Sequence, residues 1–198
     1  VLSSGHGATL GRESGVRDAE FLVALDVRGA DHRGVSEARV HLASAVDAAW
    51  ITPTTVAVEH ALDAATGQVR ARRLARVDAL VVAETPVTVD AEAAAALLAE
   101  AWLARGPAEG DAQLLRRLRF AGLAIDLTAI VRQAALGARS LADVRLDTAL
   151  PGDVTRALAT LAPTTLPVPS GRQAPLSYED DGSVTASVKL QELFGLAD

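Results

Sequence analysis

The 198-residue sequence contains no cysteine, which excludes disulfides, zinc held by thiolates and thiol catalysis in one step. A reducing, cytoplasmic setting fits that absence. Methionine is also missing, at position 1 and elsewhere, and the chain opens on Val1-Leu2-Ser3-Ser4-Gly5, so it is expected to be a piece of a longer one. Aromatic residues are scarce: two Trp, one Tyr and three Phe. Cores must therefore be built by aliphatic packing, and a cofactor site walled by rings is not expected. One lysine, Lys189, stands against eighteen arginines, a bias of the kind that a GC-rich genome produces through codon usage. No apolar run approaches the roughly 20 residues that a membrane helix needs, and no charged-then-apolar leader opens the chain. The reading is a soluble chain with no membrane partner.

What is present is ordinary for a folded protein: 49% hydrophobic and 22% charged residues, far from the composition of disorder. The net charge of -6 is spread evenly, with nine Arg against twelve acids in residues 1–90 and ten Lys/Arg against thirteen acids in 91–198. Gripping phosphates as a main task calls for a positive balance, because counterion release dominates nonspecific affinity. Any nucleic-acid contact must be local.

Three textures follow one another along the chain. In residues 1–90 the apolar run Phe21 to Gly29 reads as a mostly buried strand. Ala38 to Val46 reads as a second, with Val40, Leu42 and Ser44 on one face, joined to the first by a polar turn from Gly29 to Gly34. Val56 to Leu62 and Gln68 to Arg76 flank a hairpin corner in which Gly67 can take positive φ, and Val77 to Glu84 adds a strand or extends the last. Four or five strands with short turns predict an antiparallel OB-like β-barrel or sandwich.

Residues 91–161 read as helical. Asp90 caps Ala91 to Arg105, and Gly106-Pro107 stops it. A second helix spans Asp111 to Leu123, with Leu114, Leu115 and Leu118 inward and Arg116, Arg117 and Arg119 mostly outward. A third runs from Leu127 to Leu136, and Ser140 and Pro151 to Leu161 mark two shorter ones. Residues 162–198 carry prolines at 163, 167, 169 and 175 that exclude a continuous helix. Leu176 to Tyr178 and Val184 to Val188 bracket the turn Glu179-Asp180-Asp181-Gly182 as a hairpin, followed by a short helix from Lys189 to Leu196. The fold class is α+β.

Chemistry is sparse. The sole lysine sits between Val188 and Leu190, so no Walker phosphate loop exists here, and no Gly-x-Ser-x-Gly elbow or His-Glu-x-x-His appears. His6, His32, His41 and His60 include no i, i+4 pair that could share a metal on a helix face. No catalytic residue, metal site or cofactor is assigned. Gly5 to Gly11 has the glycines of a phosphate loop but no strand before it, and reads as a hinge into the first strand. On the strand from Gln68, Arg70, Arg72 and Arg76 share one face by the two-residue repeat, with Leu74 among them. Three guanidiniums there could track the backbone of a single-stranded nucleic acid. The competing reading is a solvated face balanced by neighbouring acids, and the same choice holds for Arg116, Arg117 and Arg119.

The tail carries a more specific pattern. Val168-Pro169-Ser170-Gly171-Arg172, then Leu176-Ser177-Tyr178, then Val188-Lys189-Leu190-Gln191-Glu192-Leu193-Phe194-Gly195-Leu196 resembles a block of the bacterial HrpB-type ATP-dependent helicases. There a Pro-Ser-Gly turn precedes a tyrosine strand and a Leu-Gln-Glu-hydrophobic-Phe-Gly helix. Gly7 to Arg12 with Phe21 to Asp26, Arg73 to Glu84, and Ala138 to Asp143 are similar to further stretches of that family. The resemblance is thinnest between Pro107 and Gly137, where this chain is shorter. It implies a superfamily 2, DEAH-box motor N-terminal to Val1, using ATP and Mg and acting on RNA or another nucleic acid, and a chain that continues past the tail. By the same resemblance, Ser170, Gly171, Arg172, Tyr178, Lys189, Gln191 and Glu192 are motif positions that either bind nucleic acid or dock the tail. For docking, Arg172 would meet Gln191 and Glu192 while Leu190, Leu193 and Phe194 bury against the helical middle. The expected role is an accessory C-terminal fragment that braces the helicase motor domains of the same chain and contacts single-stranded RNA or DNA. The alternative is a structural or protein-interaction module that binds no nucleic acid.

Overall fold

The computed structural model of the chain describes residues 1–29, 38–169 and 171–189. They form a mixed α+β fold with nine strands in three small sheets and four α-helices. Two compact units emerge, one from residues 1–60 with 70–88, the other from residues 61–69 with 89–198.

In the first unit, β1 (Ala8–Leu10), β2 (Phe21–Arg28) and β3 (Ala38–Val46) form a sheet in the order β1-β3-β2. Most of β4 (Thr55–Leu62), β5 (Val69–Val77) and β6 (Leu80–Val87) also lies here, in the order β4-β5-β6. Within the unit the two sheets line an apolar cleft of about 660 Å³, with Phe21, Leu22 and Val40 from one and Val77, Leu80 and Val82 from the other. Gly67, at φ +66°, turns the corner between β4 and β5.

Four expectations need correction. Of the expected barrel or sandwich, no sheet among the described residues closes into a barrel, and the first unit has open three-stranded sheets; the pairing is not all antiparallel either, because β1 joins β3 in a parallel, non-local contact that local turn signals do not reveal. For the same reason Ala8–Leu10, read as part of a hinge, is a strand. Strand β2 is not mostly buried: Val23, Leu25 and Val27 are 48%, 61% and 42% exposed. The face alternation of β3 also breaks, with Val40 and Ala43 buried and Leu42 exposed. β2 is an edge strand that alternates regularly, with Val23, Leu25 and Val27 together on its open face, whereas the break in β3 has its cause in the pairing. The pairing jumps from Ala24↔Ala43 to Asp26↔Leu42 and then to Val27↔Val40, leaving Leu25 and His41 as bulged residues. The bulge at His41 moves the side-chain alternation of β3 by one position.

The second unit owes its core to helices. In α1 (Ala91–Arg105) the Asp90 carboxylate accepts from the Ala93 amide at 2.8 Å, and Gly106, at φ +83°, ends the helix. Its inward face is Ala94, Ala95, Leu98, Ala99 and Trp102. Small residues at three of these five places let a neighbouring helix approach closely. That neighbour is α3 (Leu127–Ala135), capped by Asp126 and burying Ile130, Val131, Ala134 and Ala135. Between them in sequence, α2 (Glu109–Phe120) buries Leu114 and Leu118. A capping box, Ser140 with Asp143, starts the 3-10 turn Leu141–Asp143, and α4 is Gly152–Leu161. The hairpin corner contributes Leu62 and Val69 to this same core.

The tail of the second unit is a three-stranded antiparallel sheet, β7 (Thr165–Pro167), β8 (Gln173–Tyr178) and β9 (Val184–Ala186), with β8 central. The expected helix from Lys189 to Leu196 lies outside the described residues beyond its first position, as does the turn from Ala30 to Gly34. No helix among the described residues is long and apolar enough to cross a membrane.

Candidate functional site

Side-chain hydrogen bonds join α2 to strand β8. Tyr178, only 2% exposed, donates its phenolic hydroxyl to the Pro163 carbonyl at 2.6 Å. Burial pushes this phenol above its ordinary pKa against a smaller opposing pull from Arg117, so the hydroxyl stays a donor at neutral pH. The ring meets Phe120 edge-on, with centroids 5.1 Å apart, a geometry that the ring quadrupoles favour.

Gln113 completes the attachment. Its Oε1 accepts from the Tyr178 amide at 3.1 Å while its Nε2 donates to the Tyr178 carbonyl at 3.3 Å. The side-chain amide thus serves the main chain of β8 as a neighbouring strand would, satisfying both groups of a buried residue. One turn later, Arg117 donates Nε to the Ala162 carbonyl at 2.8 Å, supplying a donor to the C-cap of α4. Burial lowers the pKa of this guanidinium, which nonetheless remains a cation at any physiological pH.

Asp111, at the start of α2, ties the helix to the rest of the unit. Its Oδ1 accepts from the Leu146 amide at 3.1 Å and its Oδ2 from the Trp102 indole at 3.3 Å. Together with Arg117, Gln113 and Leu176 it lines a cleft of about 720 Å³.

The residues expected to form sites are scattered. Arg70 and Arg72 are exposed on β5, and Arg72 pairs with Glu84 at 2.7 Å. Arg76 pairs with Glu59 at 2.6 Å, a contact that raises the arginine's pKa and lowers that of the glutamate. The two-residue repeat does not hold along the strand: Leu74 is buried, and register shifts between Ala75 and Arg76. Of the tail motif, Gly171 takes φ +81° and donates its amide to Val168 at 2.9 Å. Val168 in turn donates to the Arg172 carbonyl at 2.9 Å, closing the turn. Arg172 and Lys189 are exposed. Ser170, Gln191 and Glu192, and with them the expected Arg172 contacts and the burial of Leu190, Leu193 and Phe194, lie outside the described residues.

Arg117 departs from the expected outward orientation, since a carbonyl at the end of α4 draws it inward. Gln113, Asp111 and Phe120 were not anticipated at all. Their partners lie up to 65 residues away in sequence, so no local pattern announces them. Among the described residues no group of three or more His, Asp or Glu is placed to hold a metal.

The turn at Val168–Arg172, the Tyr178 strand and helices α3 and α4 fall within residues 123–198, which match a family model described as the ATP-dependent helicase C-terminal region of HrpB, whereas α1 and α2 lie outside that match. The chain as a whole is similar to two crystal structures from Escherichia coli, one of the DExH-box NTPase HrpB and one of the DEAH/RHA helicase HrpB. Identity is 22% and the TM-score 0.44 in both cases, over 98% and 99% of this chain. The chain spans 28% of the length of either HrpB structure. No curated protein matches it.

Proposed function

We propose that this chain is an accessory C-terminal portion of an ATP-dependent helicase, most of its work being to brace the motor domains, with a local contact to single-stranded nucleic acid. ATP and Mg²⁺ are then requirements of the motor, and the setting is the cytoplasm. The observation that carries the bracing role is the lock between Gln113 and Tyr178. A strand inside the family match is fixed to a helix by a side-chain amide that bonds its main chain in both directions and by a buried ring, the kind of attachment a rigid strut needs.

The β5 arginines support nucleic-acid contact less well. Arg72 and Arg76 each face a carboxylate at under 3 Å, and a phosphate would have to displace it. Exposed pairs of this type are weak, about 0.2–1 kcal/mol, so displacement is feasible but adds no selectivity.

The test uses the full helicase carrying Tyr178→Ala. The expected result is a lower melting temperature and reduced ATP-driven unwinding, with unchanged nucleotide affinity of the motor. Unwinding and melting indistinguishable from the parent enzyme would overturn the bracing role. Combined Arg70→Ala, Arg72→Ala and Arg76→Ala substitution tests the β5 contact through the salt dependence of single-strand binding.

A further inference from the structure

The turn between β8 and β9 holds three acids with three different employments. Its frame is main-chain: the Glu179 amide donates to the Ser183 carbonyl at 3.0 Å and the Gly182 amide to the Glu179 carbonyl at 3.2 Å. Gly182 supplies the φ of +85° that the turn requires. Asp181 accepts from the Ser183 amide at 2.9 Å and Glu179 from the Thr185 hydroxyl at 3.4 Å. Asp180 alone reaches across to α2, where its carboxylate lies 3.3 Å from Arg116 and 3.5 Å from Arg119.

One carboxylate between two guanidiniums occupies the place that a phosphate group would take. It does so at distances longer than those of the β5 pairs, with Asp180 72% and Arg119 69% exposed and Arg116, at 22%, half-buried behind them. Arg116 also has Glu109 at 3.3 Å. One residue beyond Arg119, and one turn from Arg116, Phe120 is 47% exposed while its ring is held against Tyr178. Two cations beside a fixed, half-open aromatic ring is the combination that binds single strands, guanidinium to phosphate and ring to base. An acidic protein segment would use the arginines and not the open half of the ring.

We propose that Arg116, Arg119 and Phe120 form a contact for single-stranded nucleic acid, and that Asp180 is an intrachain competitor for its phosphate. The hairpin turn then acts as a weak cover that a polyanion displaces and that biases the surface against small anions. This assignment rests on the accessory-helicase reading, and it locates the nucleic-acid contact on α2 instead of β5.

The experiment measures binding of a short labelled oligoadenylate to the 198-residue chain by fluorescence anisotropy, at about 50 mM salt and above. Asp180→Asn, which leaves the frame of the turn untouched, is expected to tighten binding about three-fold, the scale of an exposed ion pair. Arg119→Ala is expected to weaken binding and make the salt dependence shallower by about one phosphate contact. Phe120→Leu is expected to weaken it about ten-fold through the lost stack. Unchanged affinity in Asp180→Asn or in Phe120→Leu overturns the proposal, as does polyglutamate competing as well as unlabelled oligoadenylate. Binding that answers to Arg72 and Arg76 but not to these three positions also overturns it while leaving the accessory reading in place. No binding at low salt overturns it too, and the bracing role is then judged by Tyr178→Ala alone.

Discussion

Replacing Gln113 by Ala isolates the lock between α2 and the tail, because it removes two hydrogen bonds without disturbing the ring of Tyr178. The bonds measure 3.1 and 3.3 Å, so the second is at the long end of the useful range. A neutral bond contributes about 0.5–1.5 kcal/mol net, and a buried group left without a partner costs about 1–3 kcal/mol. With Tyr178 at 2% exposure, water can restore its amide only in part, and the combined loss comes to about 2 kcal/mol. That corresponds to a fall in melting temperature of roughly 4–8 °C for a chain of this size. The two tryptophans make the assay specific. Trp102, at 1% exposure, belongs to the second unit and Trp50, at 78%, to the first. A Trp50→Phe background therefore reports the unit that holds the lock. Gln113→Glu sharpens the test, since a carboxylate keeps the acceptor for the amide but sets a negative oxygen against the Tyr178 carbonyl. Such a group has its folded pKa raised above the ordinary value of about 4.3, so its deficit against the parent is full above the folded pKa and shrinks as pH falls through it. A Gln113→Ala protein that melts with the parent, or a Gln113→Glu deficit that does not change with pH, would refute the lock.

Three further outcomes are expected. Asp111→Ala frees the Trp102 indole and the Leu146 amide; hydrogen bonds to a charged acceptor contribute about 1.5–3 kcal/mol, and the loss should appear in denaturant unfolding together with altered Trp102 emission. The Asp143 carboxyl is held below its ordinary range, first by the Ser140 hydroxyl and then by the Ser140 and Arg139 amides. Its stabilisation is therefore present above the unfolded pKa of about 3.9 and lost as pH falls through the lower folded value, and Ser140→Ala should move the NMR titration midpoint of Asp143 upward. Leu118→Ala opens a cavity at a side chain only 2% exposed, which should cost about 2–5 kcal/mol in urea denaturation.

What was legible in the sequence was local. Helix α1 runs from Ala91 to Arg105 as its signals require, because an aspartate cap, an alanine- and leucine-rich body and a Gly-Pro stop act within a few residues of one another. The Ser140 signal, the hairpin corner at Gly67 and the tail hairpin are legible for the same reason. Burial in the first unit was not, since nothing in the apolar run Phe21 to Arg28 shows that one face of β2 stays open, and nothing in Ala38 to Val46 marks the bulge at His41 that moves the alternation of β3. Closure of a barrel was not legible either. It depends on which distant strands pair, and the parallel contact of Ala8–Leu10 with Ala38–Val40 is not encoded in any turn.

The arginines of α2 show how helix geometry divides a cluster that is continuous in sequence. In sequence Arg116, Arg117 and Arg119 form one cluster and invite one reading. On a helix, neighbours in sequence lie about 100° apart around the axis whereas positions three apart lie close together. The helix therefore splits the cluster: Arg117 turns inward to the Ala162 carbonyl, and Arg116 and Arg119 meet at Asp180. One arginine then serves the C-cap of α4, and the other two share Asp180, Arg119 with its side chain 69% exposed and Arg116 with 22%. Substituting all three together would lower both stability and any nucleic-acid affinity and leave the two roles confounded, whereas Arg119→Ala beside Arg117→Ala separates them, the first acting on binding and the second on melting.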